Sequence, residues 1–114
     1  MATSQDLDAQ RYADLQHALA DVALFRRGSL VRRFMPCGKP GCRCQASPPR
    51  LHGPYYQWTR KVSGKTVTMR VNENEAKLLR QWIDNGRRLD KLVGQMERVS
   101  YRITEQMLRA SPSS

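Results

Sequence analysis

Nineteen consecutive residues in the middle of this chain, Pro36 to Pro54, contain five prolines, three glycines, all three cysteines and one of the two histidines. Proline removes a backbone donor and glycine makes order entropically costly, so the stretch predicts a loop rather than a helix or strand. A loop of that length is uncommon inside a compact domain unless something clips it. Cys37, Cys42, Cys44 and His52 offer three sulfurs and one nitrogen within sixteen residues. A tetrahedral Zn2+ ion accepts that set, and the expectation is one zinc bound by these four side chains. Gly38, Pro40 and Gly41 let the backbone turn between the first two thiols, and Lys39, Arg43 and Arg50 offset thiolate charge. An odd cysteine count likewise favours metal or free thiols over disulfides.

The loop sits inside a region of one sign. From Arg26 to Arg70 there are eleven Lys or Arg and no Asp or Glu, whereas residues 1–25 carry one Arg against four Asp, and residues 71–110 eight basic against six acidic. The net charge of +10 is thus concentrated in the centre. Such a region repels itself unless a polyanion is its partner, and nucleic acid is the commonest polyanion in a cell. Arg32, Arg33, Lys39, Arg43, Arg60, Lys61, Lys65 and Arg70 are the expected phosphate contacts, with Tyr55 and Trp58 stacking on exposed bases or packing at the sheet. DNA is favoured over RNA. The alternative is a dimeric protein-interaction module that docks on an acidic protein. A catalytic zinc needs an open position and a nearby carboxylate, which the acid-free centre does not supply, so no enzymatic activity is expected. His17 reads as a surface residue.

Around the loop the pattern is α+β. Tyr12, Leu15, Leu19 and Val22 recur at helical spacing between Gln5 and Arg27, with Gly28 as the stop. Ser29–Met35 is a strand candidate. Tyr55–Lys61 and Thr66–Val71 flank Gly64 and read as a hairpin. One face would hold Tyr56, Trp58, Val67, Met69 and Val71, with Arg60 at its turn end. The other would hold Tyr55, Gln57, Thr59, Lys61, Thr66, Thr68 and Arg70. Asn72 with Glu75 opens a long helix to about Arg109 in capping-box fashion. Its Leu79, Trp82, Gly86, Leu89, Val93, Met96, Ser100, Ile103 and Met107 step by three and four, as in a coiled-coil seam.

These elements suggest an N-terminal helix over 1–28, a basic zinc-loop and hairpin module over 29–71, a long helix over 72–110 and a disordered tail at 111–114. The N-terminal helix is expected to pack on Leu79, Trp82 and Leu89. Leu89, Val93, Met96, Ile103 and Met107 would then form a homodimer. No run is apolar enough to span a membrane and the first residues do not resemble a signal peptide, so a cytoplasmic protein is expected.

The combination of Arg26-Arg27-Gly28-Ser29-Leu30, Cys37-Gly-Lys-Pro-Gly-Cys42-Arg-Cys44 and His52-Gly-Pro-Tyr-Tyr56 resembles an uncharacterised family of small bacterial proteins. The resemblance covers about residues 26–95 and implies a hairpin after the HGPYY block, followed by a long charged helix. Family members are often found near transposases and other mobile-element genes. A weaker similarity links Cys37-Gly-Lys-Pro-Gly to the turn of retroviral zinc knuckles, although Cys42 stands where the knuckle has histidine and Phe34 where it has its first cysteine.

Overall fold

A computed structural model describes residues 2–112. Helix α1 spans Ser4–Ala20, strands β1, β2 and β3 span Ser29–Met35, His52–Val62 and Lys65–Val71, and helix α2 spans Glu73–Ala110. The strands form one antiparallel sheet in the order β1-β2-β3, which bears out the α+β architecture. Residues 111–112 lie beyond α2, and the last two residues of the expected tail fall outside the described residues. No helix among the described residues is long and apolar enough to cross a membrane.

The chain forms two compact units, one from the residues up to Leu24 together with those from Asn85 onward, the other Phe25–Asp84. In the second, β2 and β3 pair from Tyr56↔Val71 to Val62↔Lys65, closed by the two-residue turn Ser63-Gly64. Side chains alternate across a sheet, so this register places Tyr56, Trp58, Arg60, Val67, Met69 and Val71 on one face, as expected. Strand β1 adds Leu30 opposite Trp58 and Arg32 opposite Tyr56 to the same face. The first turns of α2 cover it: Trp58, Val71, Ala76, Leu79 and Ile83 form a buried cluster, with Leu30, Tyr56 and Trp82 packed against it. Asn72 starts α2 as expected, its side chain accepting from the Glu75 N–H while Glu75 accepts from the Asn72 N–H.

In the other unit, α1 is opened by a Thr3/Asp6 capping box. It packs Leu15 against Leu92 and Val99, with Tyr12, Ala18, Val22, Met96 and Ile103 around them. Asp8 pairs with Arg102 at 3.1 Å. The expected packing of α1 on Leu79 and Trp82 is therefore wrong. The sheet has a prior claim on those two residues, and α1 covers the later turns of α2 within the same chain.

Helix α1 also stops earlier than Arg27. After the cap at Asp21 the backbone finds partners on α2 instead of continuing its own ladder: the Asn85 side chain donates to the Leu24 carbonyl at 2.8 Å. The Arg26 N–H likewise donates to the Trp82 carbonyl at 3.1 Å. Gly28 is no helix stop. Its φ is +120°, and a Cβ there would lie 2.3 Å from the Thr59 carbonyl oxygen and 2.8 Å from Trp58 Nε1. Only glycine lets the chain pass so close to β2 on its way into β1.

Candidate metal centre and basic surface

The β1–β2 connection carries the cluster. Between Pro36 and Leu51 Cys44 alone is buried, so apolar packing contributes little to the order of the loop. Short hydrogen bonds shape it instead. A 3-10 turn at Arg43–Gln45 presents Cys44, and the Arg50 N–H returns to the Arg43 carbonyl at 3.0 Å. The Gln45 side chain reaches the Lys39 carbonyl at 3.0 Å and the Cys37 carbonyl at 3.5 Å, tying both sides of the first turn together. His52 enters from the first residue of β2, opposite Met35, just past an irregularity in the β1 register. Gly53 has φ +138°, and a Cβ on it would stand 2.8 Å from the Arg33 carbonyl oxygen, so glycine is what lets the His52 end of β2 close on β1.

The four ligand atoms of Cys37, Cys42, Cys44 and His52 lie within 4.8 Å of one another. Cys37 Sγ and Cys44 Sγ are 3.5 Å apart, and Cys42 Sγ is 3.1 Å from His52 Nε2. Zinc bonds of about 2.3 Å to sulfur and 2.0 Å to nitrogen give tetrahedral edges of roughly 3.8 and 3.6 Å. Those two pairs sit a few tenths of an ångström inside the tetrahedral edges and the widest separation up to about 1 Å outside them, so the set fits a small tetrahedral ion once the loop draws in. All three thiols are free. The Cys37 N–H points at Cys44 Sγ at 3.3 Å, which suits a thiolate.

Electrostatics separates the thiols. The Cys44 N–H, then the Cys37 thiol and the His52 ring, hold Cys42 down from 9.0 to about 6. At Cys37 the Lys39 N–H pulls downward, but the neighbouring Cys42 and Cys44 thiols and burial outweigh it and leave that pKa raised. One sulfur is thus ready to ligate near neutral pH, and a divalent ion would complete the ionisation of the others.

The expected nucleic-acid contacts do not share one surface. Arg33, Tyr55, Lys61 and Arg70 lie on the sheet face away from α2. There Arg70 stacks on Tyr55 at 4.2 Å and Arg33 reaches Gln57 at 3.4 Å. Lys65 follows the turn, while Lys39 and Arg43 are exposed on the metal loop. Arg32 and Arg60 belong to the opposite face. Arg32 lies over Phe34 at 5.3 Å and Arg60 over Trp58 at 4.0 Å. Trp58 itself is corrected: at 5% exposure, with its Nε1 donating to the Arg27 carbonyl at 3.1 Å, it is a core residue unable to stack on a base. Sequence reasoning missed Arg26, which lies over the same ring at 4.5 Å, because only the fold brings residues 26 and 58 together. It also missed Gln45, whose one signal was its place beside Cys44. Of the expected dimer residues, Met96 and Ile103 pack with α1, whereas Val93 and Met107 are exposed at 40% and 66%.

Fold and cluster together define a small α+β chain with a compact Cys3His set of metal-ligand type. The sequence model of one family, described as a domain of unknown function (DUF6788), matches residues 4–81, and the chain belongs to that family. The match takes in α1, the sheet, the cluster and the first turns of α2, beginning and ending earlier than the resemblance at 26–95. It indicates no catalytic activity. No curated protein and no solved structure matches the chain.

Proposed function

We propose that this chain is a zinc-stabilised nucleic-acid-binding accessory protein, with DNA as the favoured ligand. The observation that carries the reading is the junction of two features in one compact unit. A Cys3His cluster clips the β1–β2 loop, and the sequence around it, from Arg26 to Arg70, has eleven cations and no anion. The cluster would serve as a structural zinc site, closed by four protein ligands and leaving no position for a substrate. Its task is to fix the loop, so that Lys39 and Arg43 stand ordered beside the sheet. The open sheet face supplies Arg33, Lys61 and Arg70 for phosphates and half-buried Tyr55 for a base or sugar. Phosphate contacts give affinity without sequence information, as suits an accessory protein. The motif resemblance to proteins often found near transposases adds support for DNA, including that of a mobile element, as the ligand.

Gel-shift titration of DNA and RNA tests the reading. Arg33→Ala with Arg70→Ala should weaken binding about tenfold or more and to a similar degree on any sequence. Arg98→Ala with Arg109→Ala, on the later turns of α2, should matter less. Equal losses from the two pairs would move the interface elsewhere.

A second reading, an interaction module, draws on the exposed apolar side chains of α2: Val93, Tyr101, Met107 and Leu108. Patches of that kind mark protein contacts. In that reading the same helix makes a homodimer or meets an acidic partner.

A further inference from the structure

The face of the sheet that carries Trp58 holds a pocket of about 390 Å³ lined by Phe25, Arg26, Arg27, Trp58, Arg60 and Lys61 among others. Four of its lining residues are basic and none is acidic. Arg26 and Arg60 both lie over the Trp58 ring, at 4.5 and 4.0 Å from its centroid. Two like charges are thereby held no more than about 9 Å apart, a concentration of positive charge that a bound anion nearby would stabilise. Nη1 of Arg60 is fully buried and has no hydrogen-bond partner. That nitrogen is out of reach of a ligand in the pocket, so Arg60 would meet an anion through its remaining N–H groups.

The pocket is also built in advance. The Arg26 N–H is anchored to the Trp82 carbonyl, and the Arg27 carbonyl receives the Trp58 indole N–H. Gly28 then brings the chain against β2. Lys61 borders the pocket, but its ammonium donates to Thr66 Oγ1 at 2.7 Å on the other face of the sheet. Planar guanidinium forks bind tetrahedral oxyanions bidentately. Phe25, 43% exposed, offers an aromatic surface beside the cations. At this volume the pocket has room for a nucleotide-sized group.

We infer that this pocket is a phosphate-binding site, formed by Arg26, Arg27 and Arg60 around Trp58, that grips one phosphate of a bound nucleic acid. Its use on nucleic acid rests on the function proposed above; the affinity for phosphate does not.

The probe is inorganic pyrophosphate, titrated calorimetrically into the purified full chain at low salt. One pyrophosphate per chain is expected. Arg26→Gln with Arg27→Gln, both exposed positions outside the open sheet face, should weaken it about tenfold or more. Arg98→Gln with Arg109→Gln should not. Arg60→Lys tests the Arg60 guanidinium separately, since it keeps the charge but loses the planar fork. It should bind pyrophosphate more weakly while retaining its thermal transition. No pyrophosphate binding, or equal losses from the two glutamine pairs, overturns the site. Duplex DNA titrated in parallel separates the two claims. DNA binding unchanged in the Arg26/Arg27 variant overturns the pocket's use on DNA and leaves the open sheet face as the interface. Pyrophosphate binding by a chain that takes up neither DNA nor RNA upholds the phosphate site and overturns its use on nucleic acid.

Discussion

Removing the metal should melt one loop and leave the rest of its unit standing. The hydrophobic cluster of Trp58, Val71, Ala76, Leu79 and Ile83 includes no residue of the Cys/His loop. Within that loop Cys44 alone is buried. Chelation therefore takes away the loop's main source of order and little of the core. The global effect follows from linkage. Zinc at about one hundred times its Kd contributes about 2.7 kcal/mol, and a domain of this size shifts by roughly 4–8 °C per kcal/mol. The thermal midpoint should thus fall by about 10–20 °C. The local effect is sharper: amide hydrogen exchange should lose protection from Cys37 to Gly53 and at the Met35↔His52 end of the β1–β2 pairing. The β2–β3 hairpin should remain protected. Cys44→Ser should reproduce both changes without a chelator. An unchanged midpoint together with unchanged exchange in the loop would refute the clip, whereas collapse of the hairpin as well would show that the loop and core are one cooperative unit.

Three further outcomes follow from particular residues. Because the Cys42 pKa is depressed, from 9.0 to about 6, its thiolate contributes stability that is complete above 9.0 and is lost as pH falls through about 6. Zinc retention on stepped dialysis should hold at neutral pH and fail in acid as protons displace the metal from the thiolates, and retention indifferent to pH down to strong acid would contradict the thiolate set. Trp58→Ala should destabilise the chain by about 3–5 kcal/mol in urea unfolding, since it empties a buried site and strands the Arg27 carbonyl; a cost below about 1 kcal/mol would put the ring outside the core. Light scattering at tens of micromolar should report a dimer that Val93→Glu with Met107→Glu abolishes, while a monomeric parent chain would show that these side chains meet something other than a second copy.

The parts of the fold legible in the sequence are those set by local chemistry. Strand β1 matched its expected ends because SLVRRFM lies between Gly28 and Pro36. The hairpin faces followed from alternation alone, and α2 from its Asn72/Glu75 box. What sequence could not supply was competition between elements. Leu24 and Arg26 fall within the expected helix, yet their backbone groups are taken by Asn85 and Trp82. A seam of 3.5-residue steps drifts about 20° per heptad from a straight helix. The buried positions of α2 accordingly include Ile83, Leu92 and Val99, none of them on the expected line. The metal ligands were readable because Cys and His are rare and their spacing short. The cationic pocket was not, because residues 26 and 60 meet only through the sheet.

The most direct test of nucleic-acid binding is the salt dependence of affinity for a fluorescent DNA duplex, followed by anisotropy. Arg33, Lys61, Lys65 and Arg70 of the sheet, with Lys39 and Arg43 of the metal loop, give about six phosphate contacts. Affinity should then fall by roughly three orders of magnitude between about 50 and 200 mM salt. Binding that is absent at low salt, or that barely responds to salt, would contradict the account.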